Sequence, residues 1–193
     1  MLNATLSRAD FYKLRKSDQG GFAKWRIETL PAGMQLFKLT KGDAPDGKWG
    51  VSPWWSAVKP FKEDDEGAIG RYLQAKLNGI SMSAMVRYMS AVRIDWNDLD
   101  NYVQVELLTP AKAFWGTFAP QLKWSPESYN LGDIRARKAT EQQVSGNAIL
   151  PDVLGVLEAW QLFVPNLKDE HIKRSSVIPA HDMAALGLAF GTA

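Results

Sequence analysis

The sequence predicts an α+β fold, a single domain with a mostly antiparallel, strand-rich core and peripheral helices. Three observations carry this. Several short segments are apolar with a near-two-residue period, as half-buried strands are: MQLFKLT (34–40), YVQVELL (102–108) and EAWQLFVP (158–165). Helical signals occupy separate stretches, the clearest over 65–78. The chain has 193 residues, 46% of them hydrophobic and 11% aromatic, which suits one compact domain and argues against disorder.

Taken in order, Ser7 can cap a short helix whose face carries Phe11 and Leu14, and Gln19-Gly20-Gly21 ends it. FAKWRIETL (22–30) reads as a strand, Pro31-Ala32-Gly33 as a turn and MQLFKLT (34–40) as a buried strand. KGDAPDGK (41–48) is rich in turn formers and reads as an exposed loop. In WGVSPWWSAV (49–58), Pro53 breaks any long element, so a strand ending near Ser52 and then a short helical piece are expected. The 65–78 helix would turn Ile69, Tyr72, Leu73, Ala75 and Leu77 inward, with Asn78-Gly79 as its stop. Ser81 or Ser83 can cap another short helix reaching Met89.

AVRID (91–95), YVQVELL and AKAFWG (111–116) read as strands, with WNDLDN a turn or short helical connection between the first two. Residues 119–147 show little periodicity and read as one long loop. LPDVLGVLEAW (150–160) reads as a short helix or turn, EAWQLFVP as a strand closed by Pro165, and 179–190 as a terminal helix. The organisation is an N-terminal helical extension (1–21), a core (22–165) and a tail with a short helix (166–193).

Composition excludes some chemistry. There is no cysteine, so disulfides, a thiolate nucleophile and cysteine-ligated metal are ruled out. His171 and His181, ten positions apart, match no zinc spacing, and no metal is expected. No apolar run approaches a membrane span, and the start MLNATLSRADFYKLRK lacks the apolar stretch of a signal peptide. The expected location is the cytoplasm, or outside the cell by way of a dedicated secretion machine. Lys and Arg total 23 against 21 Asp and Glu, a balance that argues against a dedicated nucleic-acid binder. Residues 1–41 are locally basic, which fits a solvated face or a surface for an anionic partner such as a dinucleotide, RNA or an acidic inhibitor protein.

No G-x-S-x-G elbow, Walker loop or G-x-G-x-x-G turn occurs. Glu106 and Glu158 both fall in strand-like segments and could form a carboxylate pair, or each could face solvent. The chain has eight tryptophans, with Trp49, Trp54 and Trp55 close together beside Ser52, Ser56 and Lys59. Such a cluster can stack a flat heterocycle or simply fill a core.

The order of these segments resembles the ADP-ribosyltransferase-like toxin domains, including the NAD-glycohydrolase toxins. The likeness runs over about 30–165: LPAGMQLFKLT, then WGVSPWW with its serine near aromatics, then helices, then the late strand EAWQLFVP. It implies a split antiparallel sheet. It also implies a bacterial toxin or effector domain that takes NAD as substrate and cleaves the nicotinamide–ribose bond, with a cognate inhibitor protein as a further partner. Mono-ADP-ribosyl transfer to a protein or nucleic-acid target is the alternative within the family. A non-catalytic interaction domain of a phage or secretion-system component is the alternative outside it.

Carried over by residue, Lys38 takes the place of the first-strand arginine on the NAD phosphates or ribose, with Arg71 as its helper. Ser52, with Ser56 as rival, takes the place of the pocket serine, and Gln161 that of the late-strand glutamate. Trp49, Trp54 and Trp55 would wall the nicotinamide. Two departures stand out. Lysine lacks the bidentate fork of arginine, and glutamine lacks the negative charge of glutamate. In the resembling toxins, glutamine at that place accompanies NAD hydrolysis. Glu158 is three positions from Gln161, on the opposite strand face, and does not stand in for it.

Overall fold

The structure is a computed structural model and describes residues 1–41, 46–47, 50–130, 134–145 and 148–192. The helices are α1 (Arg8–Phe11), α2 (Lys16–Gln19), α3 (Gly67–Leu77), α4 (Met82–Met89), α5 (Pro126–Asn130), α6 (Ile134–Ser145) and α7 (Met183–Phe190). The strands are β1 (Phe22–Leu30), β2 (Gln35–Thr40), β3 (Asp46–Gly47), β4 (Gly50–Val51), β5 (Trp54–Ala57), β6 (Asn101–Leu107), β7 (Ala111–Phe118), β8 (Gln121–Leu122), β9 (Val153–Leu154), β10 (Trp160–Phe163) and β11 (Ile172–Pro179). Seven strands form one sheet in the order β1-β7-β10-β5-β2-β6-β11, and β3-β4 and β8-β9 form two small ladders. Every pairing in the large sheet is antiparallel, so the α+β, antiparallel expectation holds.

The sheet is split at β5. Trp54 and Trp55 pair with Phe163 and Leu162 of β10, whereas Ser56 and Ala57 pair with Phe37 and Leu36 of β2. Four residues therefore join the β1-β7-β10 half to the β2-β6-β11 half. Past Phe37 the β2–β5 ladder stops, and Lys38, Leu39 and Thr40 pair with Val103, Tyr102 and Asn101 of β6. The two halves diverge from that point, and a notch opens between the end of β2 and the start of β5.

Alternation along the strands divides the core. Leu36, Trp55, Trp115 and Leu162 are buried on one face of the sheet with Val105 and Leu107. On the other face Phe37, Leu39 and Tyr102 pack under Tyr72 of α3, Met82 and Val86 of α4 and Leu186 of α7. Beside α1, Phe11, Phe22, Phe114 and Phe163 form an aromatic cluster, with Phe11 stacked on Trp25 at 3.9 Å. Gly116 of β7 is required where β1 shifts register between Phe22 and Lys24: a Cβ there would lie 1.9 Å from the Lys24 carbonyl oxygen.

Several expectations are corrected. WWSA is a strand, because it supplies the partner that the β10 and β2 edges both lack. Residues 91–95 form no strand. Ala91 leaves α4 in the left-handed region (φ 53°), and Ile94 instead packs with Trp124, Leu150 and Leu154. The stretch 119–147 contains β8, α5 and α6. The exposed, polar face of α6 (IRARKATEQQVS) presents no apolar stripe to read. Residues 150–160 hold β9 rather than a helix, and the tail contributes β11, an edge strand whose Lys173, Arg174 and Ser175 are exposed. In α3 the inward residues are Ala68, Arg71, Tyr72 and Ala75, while Leu73 and Leu77 are exposed.

Candidate functional site

The notch continues into a cleft of about 770 Å³, bounded by the end of β2, the start of β5, β10, the α2–β1 turn and the loop between α4 and β6. Its lining includes Lys38, Ser52, Trp54, Trp55, Ser56 and Gln161. Clefts that take small ligands span about 300–1,000 Å³, and this one lies in the upper part of that range.

Each side chain arrives there for a local reason. Gln161 is 2% exposed and lies opposite Gly116 in the ladder with β7. Its Nε2 donates to the Gly21 carbonyl at 2.7 Å, which fixes the amide plane and leaves Oε1 as the acceptor the group can still offer. Gly21 is needed at that point, since a Cβ would come within 2.9 Å of the Trp54 ring. Ser52 precedes Pro53, and its carbonyl accepts the Trp55 indole N–H at 2.8 Å. Ser56 is buried beside Phe37 in the last β2–β5 rung.

Lys38 faces β5 across the split, with its ammonium 4.8 Å from the centre of the Trp55 ring. That contact holds a cation in the cleft lining and is itself favourable by about 0.5–2 kcal/mol. Trp55 is a core residue, 2% exposed, so it supports Lys38 and offers no open face for a heterocycle. Trp54 is half-buried between Phe22 and Phe163, at 5.2 and 4.8 Å between ring centres. Trp49 lies outside the described residues.

Arg71 does not belong to the cleft lining. It is 0% exposed, with both terminal nitrogens 3.3 Å from Asp64 Oδ2 and one donating to the Gly67 carbonyl at 2.8 Å. The assignment of Arg71 as a phosphate ligand is corrected: a buried carboxylate already neutralises it. Glu106 and Glu158 form no catalytic pair. Their segments are separated by β5 and β2 in the sheet order, and Glu158 is ion-paired with Lys24. Among the described residues no group of three or more His, Asp or Glu could hold a metal, and no helix is long and apolar enough to cross a membrane.

The lining also contains residues that the sequence reading missed. Asp18 is a mostly buried carboxylate whose two oxygens accept from Arg15 at 2.8 and 3.1 Å. Lys41 sits at the rim in a 2.8 Å ion pair with Asp98, whose hydrogen bond raises the lysine pKa. Arg93 and Trp96 come from the α4–β6 loop, with the Arg93 guanidinium 4.8 Å from the Trp96 ring centre. A signal for them existed: a tryptophan within WNDLDN, a run of turn formers, has no strand or helix face to bury it.

That loop is held from beneath by Arg87, which is 0% exposed. Its guanidinium donates to the carbonyls of Val92, Arg93, Asn97 and Asp98 at 2.7–3.4 Å. Burial lowers the Arg87 pKa to about 10, so the side chain stays charged at neutral pH.

No family model matches the chain, and no curated protein matches it. Among solved structures, one described as "Structure of Tne2 in complex with Tni2" matches 83% of this chain and 98% of its own, at 14% identity and a TM-score of 0.41. At that identity and score the likeness carries no argument about what this chain does.

Proposed function

We propose that the cleft binds NAD and cleaves its nicotinamide–ribose bond, the activity of an NAD-consuming toxin or effector domain. The observation that carries this reading is the convergence of Lys38, Ser52 and Gln161 on one cleft from three separate segments. In the reaction the bond from ribose C1′ to the pyridinium nitrogen breaks, and its electron pair neutralises the departing nicotinamide. Water then bonds to C1′ and gives up a proton. The intermediate state is oxocarbenium-like, as in glycoside cleavage.

The residues suit these demands. The Lys38 ammonium, held over Trp55, can meet the pyrophosphate. Gln161 Oε1, oriented by the Gly21 bond, can accept from a ribose hydroxyl and so fix the sugar for cleavage. Ser52 and Ser56 line the same cleft, and Trp54 contributes aromatic surface. Glutamine leaves no carboxylate at this place to activate an acceptor nucleophile, which favours water over a protein side chain and hence hydrolysis over ADP-ribosyl transfer.

The test is release of nicotinamide from NAD by the pure protein. Turnover is expected in wild type and a loss of at least about a hundredfold in Gln161→Ala. The same change removes a buried hydrogen bond and lowers the melting temperature by the equivalent of about 1 kcal/mol. Gln161→Glu is the second variant, since it keeps the shape of the side chain. No nicotinamide release from wild type, with or without a protein acceptor, would overturn the reading.

A further inference from the structure

The α4–β6 loop is built to present one aromatic ring. Trp96 is 58% exposed, and among the described residues no other aromatic ring packs on it. An exposed indole forfeits burial that a core position would supply. The loop around it is nevertheless closely hydrogen-bonded. The Trp96 N–H donates to the Arg93 carbonyl at 3.2 Å, closing a turn that sets the two side chains together. Ala91 and Leu99, at either end, are both left-handed, with φ of 53° and 58°. Non-glycine residues held there are strained by about 1–3 kcal/mol each and persist only where the surroundings impose them. Here the four carbonyls gathered by Arg87 impose them.

Arg93 is equally constrained. One terminal nitrogen donates to Gln121 Oε1 at 2.8 Å, while its Nε is buried with no acceptor among the described residues. A guanidinium anchored on one side against an exposed indole is suited to a ligand that is both flat and anionic. Lys38 and Gln161 reach the cleft from the sheet and Arg93 and Trp96 from this loop, all lining one cavity of about 770 Å³.

We infer that Arg93 and Trp96 form a second subsite of the cleft, which takes the purine-nucleotide end of its ligand. The purine stacks on the Trp96 ring, and the guanidinium of Arg93 meets the adjoining phosphate. Linking this subsite to NAD rests on the proposed function; its geometry does not. A base stacked on an aromatic side chain is worth about 1–3 kcal/mol, which is about five- to 150-fold in affinity.

The test uses the full chain and AMP, which lacks the nicotinamide half. Calorimetric titration is expected to show AMP binding to wild type, binding weakened about tenfold or more in Trp96→Ala, and binding largely retained in Trp96→Phe. With NAD as substrate, Trp96→Ala is expected to raise KM by a similar factor with little change in kcat. Nicotinamide mononucleotide should be turned over equally by wild type and variant. Because the ring is mostly exposed, the melting temperature should not move. No AMP binding to wild type, or equal binding by wild type and Trp96→Ala, overturns the inference. AMP binding that depends on Trp96 in a protein that releases no nicotinamide upholds the subsite and removes the hydrolase reading. Nicotinamide release with a KM unmoved by Trp96→Ala does the reverse.

Discussion

Two cations illustrate how burial separates roles at the residue scale. Lys38 lines the cleft and reaches Trp55 across the split, whereas Arg71 is sealed on the buried face of α3 against Asp64. Arg71→Met should therefore destabilise the fold by about 3–5 kcal/mol, because it strands a buried carboxylate. Lys38→Met should lower affinity for an anionic ligand and cost the fold no more than about 0.5–2 kcal/mol, the worth of its contact with Trp55. Thermal melts of both variants, set beside ligand titration, check the contrast; a large stability loss in Lys38→Met would contradict it. From sequence alone Arg71 read as a helper of Lys38, since its partner Asp64, seven residues away, carries no mark of its burial. Lys38, Ser52 and Gln161 were singled out by the order of the segments, and all three line one cleft. Trp55 was misread because a clustered tryptophan has the same pattern whether it walls a cleft or fills a core.

A carboxylate outside the cleft lining gives a pH prediction. Glu63 accepts from Arg26 at 2.7 Å and from the Trp115 indole at 3.1 Å, and these bonds hold its pKa down to about 2, against an ordinary 4.5. The folded value is the lower one. Its contribution to stability is therefore complete above the ordinary value and is lost as pH falls from 4.5 toward about 2. The gap in melting temperature between wild type and Glu63→Gln should narrow across that interval. A gap independent of pH would contradict the assignment.

At the scale of elements, the decisive feature is that β5 pairs two residues with each half of the sheet. Its shortness hid it in the sequence, where Pro53 and the adjoining tryptophans fitted a helical piece equally well. The edge strand β11 was hidden for a different reason: exposure on its outer positions removes strict alternation. The polar α6 has no core-facing stripe, and the 91–95 segment has strand-like composition but ends α4 with a left-handed turn. Both members of the β1–β7 pair read as strands in the sequence, and one substitution tests their close packing. Gly116→Ala would drive a methyl into the Lys24 carbonyl, and a loss of at least about 3 kcal/mol is expected in denaturant unfolding. A change below about 1 kcal/mol would mean that the bulge in β1 can relax.

For the whole molecule, an antiparallel sheet that parts along one short strand creates a cleft without any added domain. Residues distant in sequence, Lys38, Ser52 and Gln161, reach it from the two halves, and the strapped loop after α4 closes the remaining wall. Periodicity and composition read the class of fold. They did not read the wall made by Arg93 and Trp96, because its position depends on Arg87 reaching carbonyls that lie five to eleven residues away. The most direct measurement is free nicotinamide, followed over time after NAD is mixed with the purified chain. The account predicts steady release by wild type and almost none by Gln161→Ala; equal release by both proteins, or none by either, would contradict it.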